Sequence, residues 1–125
     1  MYETPAQFWD RKVGPFYTTG GVARLLHTSV EDVITHTKSR DLLAVPLADG
    51  HLVYPSFQFE ETPLPELSAV LDTLDPARLD SWTIAAWLVS KHDIFNGSSP
   101  AELMRSGHVA VVLQESALIA EAMRY

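Results

Sequence analysis

Apolar positions in the first half of the chain recur at helical spacing in two short blocks. Val22, Ala23, Leu25 and Leu26 give one apolar side to a helix over residues 18–26. A threonine hydroxyl at its start would accept from the free amides of the first turn. Gly20-Gly21 belongs to that helix start and is not a phosphate cradle. His27-Thr28-Ser29 reads as a tight turn, and Ser29 caps a second helix over residues 30–38, where Val30, Val33 and Ile34 fall on one face. Glu31 and Asp32 occupy its first turn, where the helix dipole favours acids. Two short helices joined by about three residues form a helix-turn-helix. The pattern then changes: residues 42–47 and 51–54 are apolar runs around Asp49-Gly50, a hairpin signal. Pro46 confines the first run to a sheet edge or shortens it. The aromatic segment Tyr54-Pro55-Ser56-Phe57-Gln58-Phe59 should pack back on the helices, completing a winged helix-turn-helix plan.

Glu60-Glu61-Thr62-Pro63-Leu64-Pro65 breaks any continuous helix or strand and sets the expected boundary between regions 1–62 and 63–125. Beyond it, Leu64, Leu67, Leu71 and Leu74 form a heptad-like stripe that ends at Asp75-Pro76. Ser81 is the expected cap of a helix over 82–89, apolar nearly all round and therefore buried, and residues 91–97 form a loop. Ser99-Pro100-Ala101-Glu102 carries a capping box with proline at the first helical position, and that helix stops at Gly107. A last helix starts near His108. It lines one face with Val109, Val112, Leu113, Ser116, Ala117 and Ala120, leaving Val111, Leu118 and Ala122 elsewhere. The fold class is thus mainly α: a small winged helix-turn-helix with a short β-hairpin, followed by a compact helical unit.

Composition narrows the function. The chain has 125 residues, a globular 46% of hydrophobic side chains and no cysteine, so disulfides, thiolate zinc sites and cysteine nucleophiles are excluded. The lack of cysteine fits a reducing cytoplasm, the expected location. No run approaches the roughly 18 apolar residues of a membrane helix, and Met1-Tyr2-Glu3-Thr4-Pro5 lacks the pattern of a signal peptide. The net charge of −7 is shared by both halves: 5 basic and 8 acidic side chains in residues 1–62, 4 and 8 in residues 63–125. That balance opposes nonspecific coating of nucleic acid or anionic lipid and suits a basic partner. The candidate phosphate contacts are few: Arg24, His36, Lys38 and Arg40. The five histidines show no metal-binding spacing, and no nucleophile elbow, Walker loop or dinucleotide fingerprint is present. An enzyme, a cofactor and a metal site are therefore not expected.

Two resemblances sharpen the expectation. Thr18-Thr19-x-x-Val22-Ala23-Arg24-Leu25-Leu26, the turn, the second helix and the hairpin ending in Tyr54-Pro55-x-Phe57-Gln58-Phe59 resemble the small helix-turn-helix modules of the MerR and excisionase type. The chain departs from them at His27, where glycine is usual, and at Glu31-Asp32, where a DNA reader usually has polar or basic side chains. Ser81-Trp82, then Ile84-Ala85-Ala86-Trp87-Leu88, then Phe95-x-Gly97-x-Ser99-Pro100-Ala101-Glu102-Leu103-Met104-x-x-Gly107 and a valine-rich helix resemble the toxin-binding domain of the Xre/MbcA/ParS antitoxin family, over about residues 64–120. That resemblance implies a type II antitoxin. It would neutralise a RES-type toxin that consumes nicotinamide adenine dinucleotide, and repress its own operon through the helix-turn-helix.

The toxin-facing residues implied are Trp87, Ser99, Pro100, Glu102 and the C-terminal Leu118, Met123, Arg124 and Tyr125. A toxin that handles an anionic dinucleotide should have a basic cleft, toward which an acidic binder is steered. A homodimer is expected, since helix-turn-helix proteins usually read paired half-sites. Two alternatives stand beside the antitoxin: a stand-alone DNA-binding regulator, and an interaction adaptor whose helix-turn-helix has lost DNA binding.

Overall fold

The computed structural model describes residues 3–60 and 62–123. The fold is mainly helical with a small three-stranded antiparallel sheet. Helix α1 (Pro5–Lys12) comes first, held by Thr4 and Gln7 in a reciprocal capping box with Pro5 at the first turn. Sequence patterning does not mark it, because its apolar residues form no helical repeat over so short a stretch and none of them is buried. The chain then turns at Gly14, where a side chain would clash: a Cβ would lie 2.6 Å from the Asp10 carbonyl oxygen. Strand β1 (Phe16–Thr18) follows. Thr18 then caps α2 (Thr19–Leu25), its Oγ1 accepting from the Gly21 amide at 3.0 Å.

Helix α3 (Val30–Lys38) begins where the serine cap sets it, with Ser29 Oγ accepting from the Asp32 amide at 3.1 Å. The turn between α2 and α3 holds His27 at φ 56°, the left-handed region that favours glycine. The departure from the usual glycine is thus a real local strain, tolerated by this turn. The hairpin forms as β2 (Val45–Pro46) and β3 (Leu52–Pro55), with Val45 opposite Val53 and Pro46 opposite Leu52. β3 is central: β1 pairs on its other side, with Tyr17 opposite Tyr54. Pro46 therefore does lie on an edge strand. Tyr54 is fully buried and packs with Val22, Ala23, Val33 and Leu42, and its hydroxyl is 2.7 Å from that of Thr37 on α3. A short 3-10 turn (Ser56–Phe59) follows.

In the second half, α4 (Leu67–Leu74) ends in a 3-10 turn over Asp75–Ala77, and Leu64, Leu67, Leu71 and Leu74 are all buried. Helix α5 (Ser81–Val89) is capped by Asp80, whose carboxylate accepts from the Thr83 amide and hydroxyl. The expected Ser81 cap is therefore shifted by one residue. Aspartate competes better because both of its oxygens reach the first turn. Residues 91–98 are more ordered than a plain loop, with a 3-10 turn at Asp93–Phe95 and a bridge between His92 and Ser98. Helix α6 (Pro100–Arg105) has the capping box in full, and Gly107 beyond it takes φ 85°. Helix α7 (Val109–Ala122) buries Val112, Ser116 and Ala120.

The expected line between residues 62 and 63 does not divide the core. Val13, Leu43 and Val45 from the first region pack in one cluster with Leu67, Leu74, Leu88 and Met104 from the second. Polar clamps cross the same line. Arg105 donates to the carbonyls of Phe57 and Thr62, and Trp82 Nε1 donates to that of Pro46. Within the first region, Gln58 ties the segment after the wing to the strand before it. It is 1% exposed, accepts from the Leu43 amide at 2.8 Å and donates to the carbonyls of Leu43 and Pro55. The winged helix-turn-helix is thus built onto the helical unit and does not hang from a linker.

Candidate functional site

The helix-turn-helix face carries the four cations expected to meet phosphate, and the structure divides them. Arg24, in the last turn of α2, and Lys38, in the last turn of α3, are exposed, and among the described residues neither has an ion pair. His36 is engaged: its Nδ1 lies 3.0 Å from Asp41. That contact, with a hydrogen bond from Ser39, holds the Asp41 carboxyl below the usual range. Arg40 reaches toward the second region. Its guanidinium meets Asp72 at 2.9 Å and Asp75 at 2.8 Å on the α4 side, and it sits at φ 65°. The hydrogen bond to Asp72, then the charge of Asp75, raise its pKa further. Arg40 thus clamps the two regions together, its charge already shared with two carboxylates. Its position just after α3 gives no hint of carboxylates 32 and 35 residues away.

The acids at the start of α3 are placed for local work. Asp32 accepts from the Thr28 hydroxyl at 2.6 Å, which fixes the turn, and Ser29 satisfies its amide. Glu31 is exposed. The outward side of α2 and α3 also presents Leu25, Val30 and Ile34, each more than two-fifths exposed. At the hairpin tip, Asp49 pairs with His51 Nδ1 at 2.8 Å, which lowers the carboxyl and raises the imidazole pKa. The wing therefore carries a cation-forming group that spacing alone marks only as a surface residue, partnered by an acid at its own turn.

The residues expected to face a toxin fall in two classes. Ser99 and Pro100 are buried. The Ser99 hydroxyl accepts from the Glu102 amide, and the Glu102 carboxylate accepts from the Ser99 amide at 3.0 Å. That backbone bond, first of all, holds the Glu102 pKa down. Trp87 is half-buried, with its ring 5.9 Å from His92 and 6.4 Å from Phe95, and its carbonyl bonded to His92 Nε2. The most specific stretch of the motif thus closes the 91–98 loop and starts α6. Ser99 and Pro100 present little surface to a partner, whereas Glu102 is exposed. Leu118 and Met123, by contrast, are 58% and 51% exposed on α7. Arg124 and Tyr125 lie outside the described residues.

No protein-family model matches the chain, and no curated protein matches it. Among solved structures it is similar to the NMR structure of Rv2175c, with a TM-score of 0.71 and 21% identity, covering 85% of this chain and 81% of that one. What the two share is a fold. Coverage of 85% exceeds either region alone, so the likeness spans the helix-turn-helix and the helical unit together. No helix among the described residues is long and apolar enough to cross a membrane, and none of their side chains cluster as a metal site would require.

Proposed function

We propose that this chain is a DNA-binding regulator that uses α3 as its reading helix and the β2–β3 hairpin as its wing. The observation that carries the reading is the intact α2–turn–α3 unit beside that hairpin, with Arg24 and Lys38 exposed and free of ion pairs among the described residues. Two unpaired cations match a binder that depends on a specific groove fit, since a chain of charge −7 has little nonspecific affinity for phosphate. The exposed Val30 and Ile34 are suited to apolar contact with thymine methyls. Binding would be as a homodimer on paired half-sites. Selection from randomised duplexes tests this. A reproducibly enriched sequence is expected, and a final pool indistinguishable from the input overturns it.

A second reading is favoured by a separate observation. Leu118 and Met123 leave an apolar end of α7 open to a protein partner, and the resemblance to antitoxins makes that partner a toxin, of the RES type, with a basic cleft. In that case DNA binding is the autoregulatory half of an antitoxin. Co-purification with mass analysis, comparing the natural chain with Leu118→Lys, separates the two. Loss of one specific partner in the variant supports the antitoxin, and equal recovery contradicts it.

A further inference from the structure

Away from the helix-turn-helix, an open groove of about 630 Å³ runs between α1, the hairpin turn and the start of α5. Its volume falls in the range of small-molecule sites, roughly 300–1,000 Å³. Three aromatic rings from three separate elements line it, beside Pro5, Ala6 and Gln7 of α1. Trp9 of α1 and Trp82 of α5 have ring centroids 5.2 Å apart, and Phe16 of β1 meets Trp82 edge-on at 5.6 Å. The rings fix one another, and Trp82 is held further by its bond to the Pro46 carbonyl. The far wall is Leu47 and Ala48 of the hairpin turn. Leu47 is 43% exposed, a large apolar side chain with no cover on this side.

Charge decides what such a groove favours. Asp10 is the one ionisable side chain that lines it, and no basic residue does. Asp10 is exposed, and among the described residues its carboxylate has neither an ion pair nor a hydrogen bond. π-rich walls beside a lone carboxylate attract a cation through the ring faces and through charge, and they repel an anion. We propose that this groove is a binding site for a small lipophilic cation, an aryl or alkyl ammonium, with its apolar part on Trp9, Phe16, Trp82 and Leu47 and its charge toward Asp10.

The three tryptophans supply the test, because two line the groove and Trp87 does not. Benzyltrimethylammonium is titrated into the full chain, followed by amide and indole N–H resonances. Saturable shifts are expected at the Trp9 and Trp82 indoles and at the Phe16, Leu47 and Ala48 amides, with Trp87 unmoved. Benzenesulfonate, of similar size and opposite charge, should leave the same signals in place. Asp10→Asn should weaken binding about three- to fivefold, as removing an exposed ion pair does. Ala48→Trp, which fills the groove from an exposed position, should abolish it. The proposal is overturned by equal shifts with benzenesulfonate, by shifts at Trp87 as large as at Trp82, by an unchanged affinity in Asp10→Asn, or by no saturable shift. It is also overturned if Ala48→Trp breaks up a dimer, which would put a second copy of the chain in the groove.

Discussion

Replacing Gln58 with methionine removes three hydrogen bonds at little change in volume. Gln58 is 1% exposed, and its amide holds the Leu43 N–H, the Leu43 carbonyl and the Pro55 carbonyl, two of them at 2.8 Å and one at 3.1 Å. Methionine fills the same space but leaves those groups without their partner. A buried donor or acceptor orphaned in this way costs about 1–3 kcal/mol. The Leu43 pair dominates, because both of its groups lie at a 4% exposed residue of the shared core. The expected loss is about 2–4 kcal/mol, a large part of the roughly 5–15 kcal/mol that stabilises a domain. With a urea slope of about 1.5–2 kcal/mol/M, the midpoint should fall by about 1–2.7 M. Urea unfolding followed by circular dichroism measures it. A fall of less than about 0.5 M would show that water replaces these bonds and that Gln58 is no clamp. Gln58→Glu adds a pH test. The buried carboxyl faces two carbonyl oxygens, so its folded pKa must rise above the unfolded value near about 4.3. The protonated acid can still donate, so the variant should be most stable below that value and lose stability as the pH rises through the folded pKa.

His27→Gly should stabilise the chain by up to about 1 kcal/mol, read from the thermal midpoint, because glycine adopts the left-handed turn without the Cβ penalty; a loss of stability would show that the imidazole makes up for its strain. Ser99→Ala should cost about 1 kcal/mol of stability, and protein-partner binding should fall no further than that loss explains; partner binding abolished in a folded variant would restore Ser99 as a contact residue. The lowered pKa of Glu102 stabilises the fold above its ordinary value of 4.5, and that contribution is lost as the pH falls through the lowered one, so Glu102→Gln should flatten the acid limb of the stability curve. For His51 the sign is reversed: its raised pKa contributes below 6.5 and is lost as the pH rises through the folded value. Asp49→Asn should bring the His51 titration, followed by NMR, back toward that ordinary value, and an unchanged titration would contradict the pairing.

What is legible in the sequence is local. Ser29, Thr18 and the Ser99–Glu102 box mark their helix starts because capping is chemistry between residues three apart. The leucine stripe of α4 and the glycine stop of α6 are legible for the same reason. Helix α1 has an equally local sign in Thr4-Pro5-x-Gln7, but no apolar periodicity supports it. Strand β1 is three residues long, too short for alternation to show. The long-range contacts leave no trace in the pattern: Arg40 with Asp72 and Asp75, Gln58 with Leu43, and Trp82 with Trp9, Phe16 and Pro46. Those of Arg40 and Trp82 join the two regions, so a division into 1–62 and 63–125 misses both the common core and the groove between α1 and α5. At the candidate site the same limit acts twice. It makes Arg40 look free, and it makes a helix start whose Ser99 and Pro100 are buried look like a contact surface.

In the proposed reading, α3 reads DNA with Arg24 and Lys38 on the phosphates. Fluorescence anisotropy on an enriched duplex, from about 50 to 200 mM salt, tests it directly in the natural chain and in the Arg24→Gln, Lys38→Gln double variant. Weaker binding by the variant is expected, with a log–log salt slope less steep by about 0.9 for each phosphate no longer neutralised. Equal affinity and an equal slope in the two proteins would contradict it.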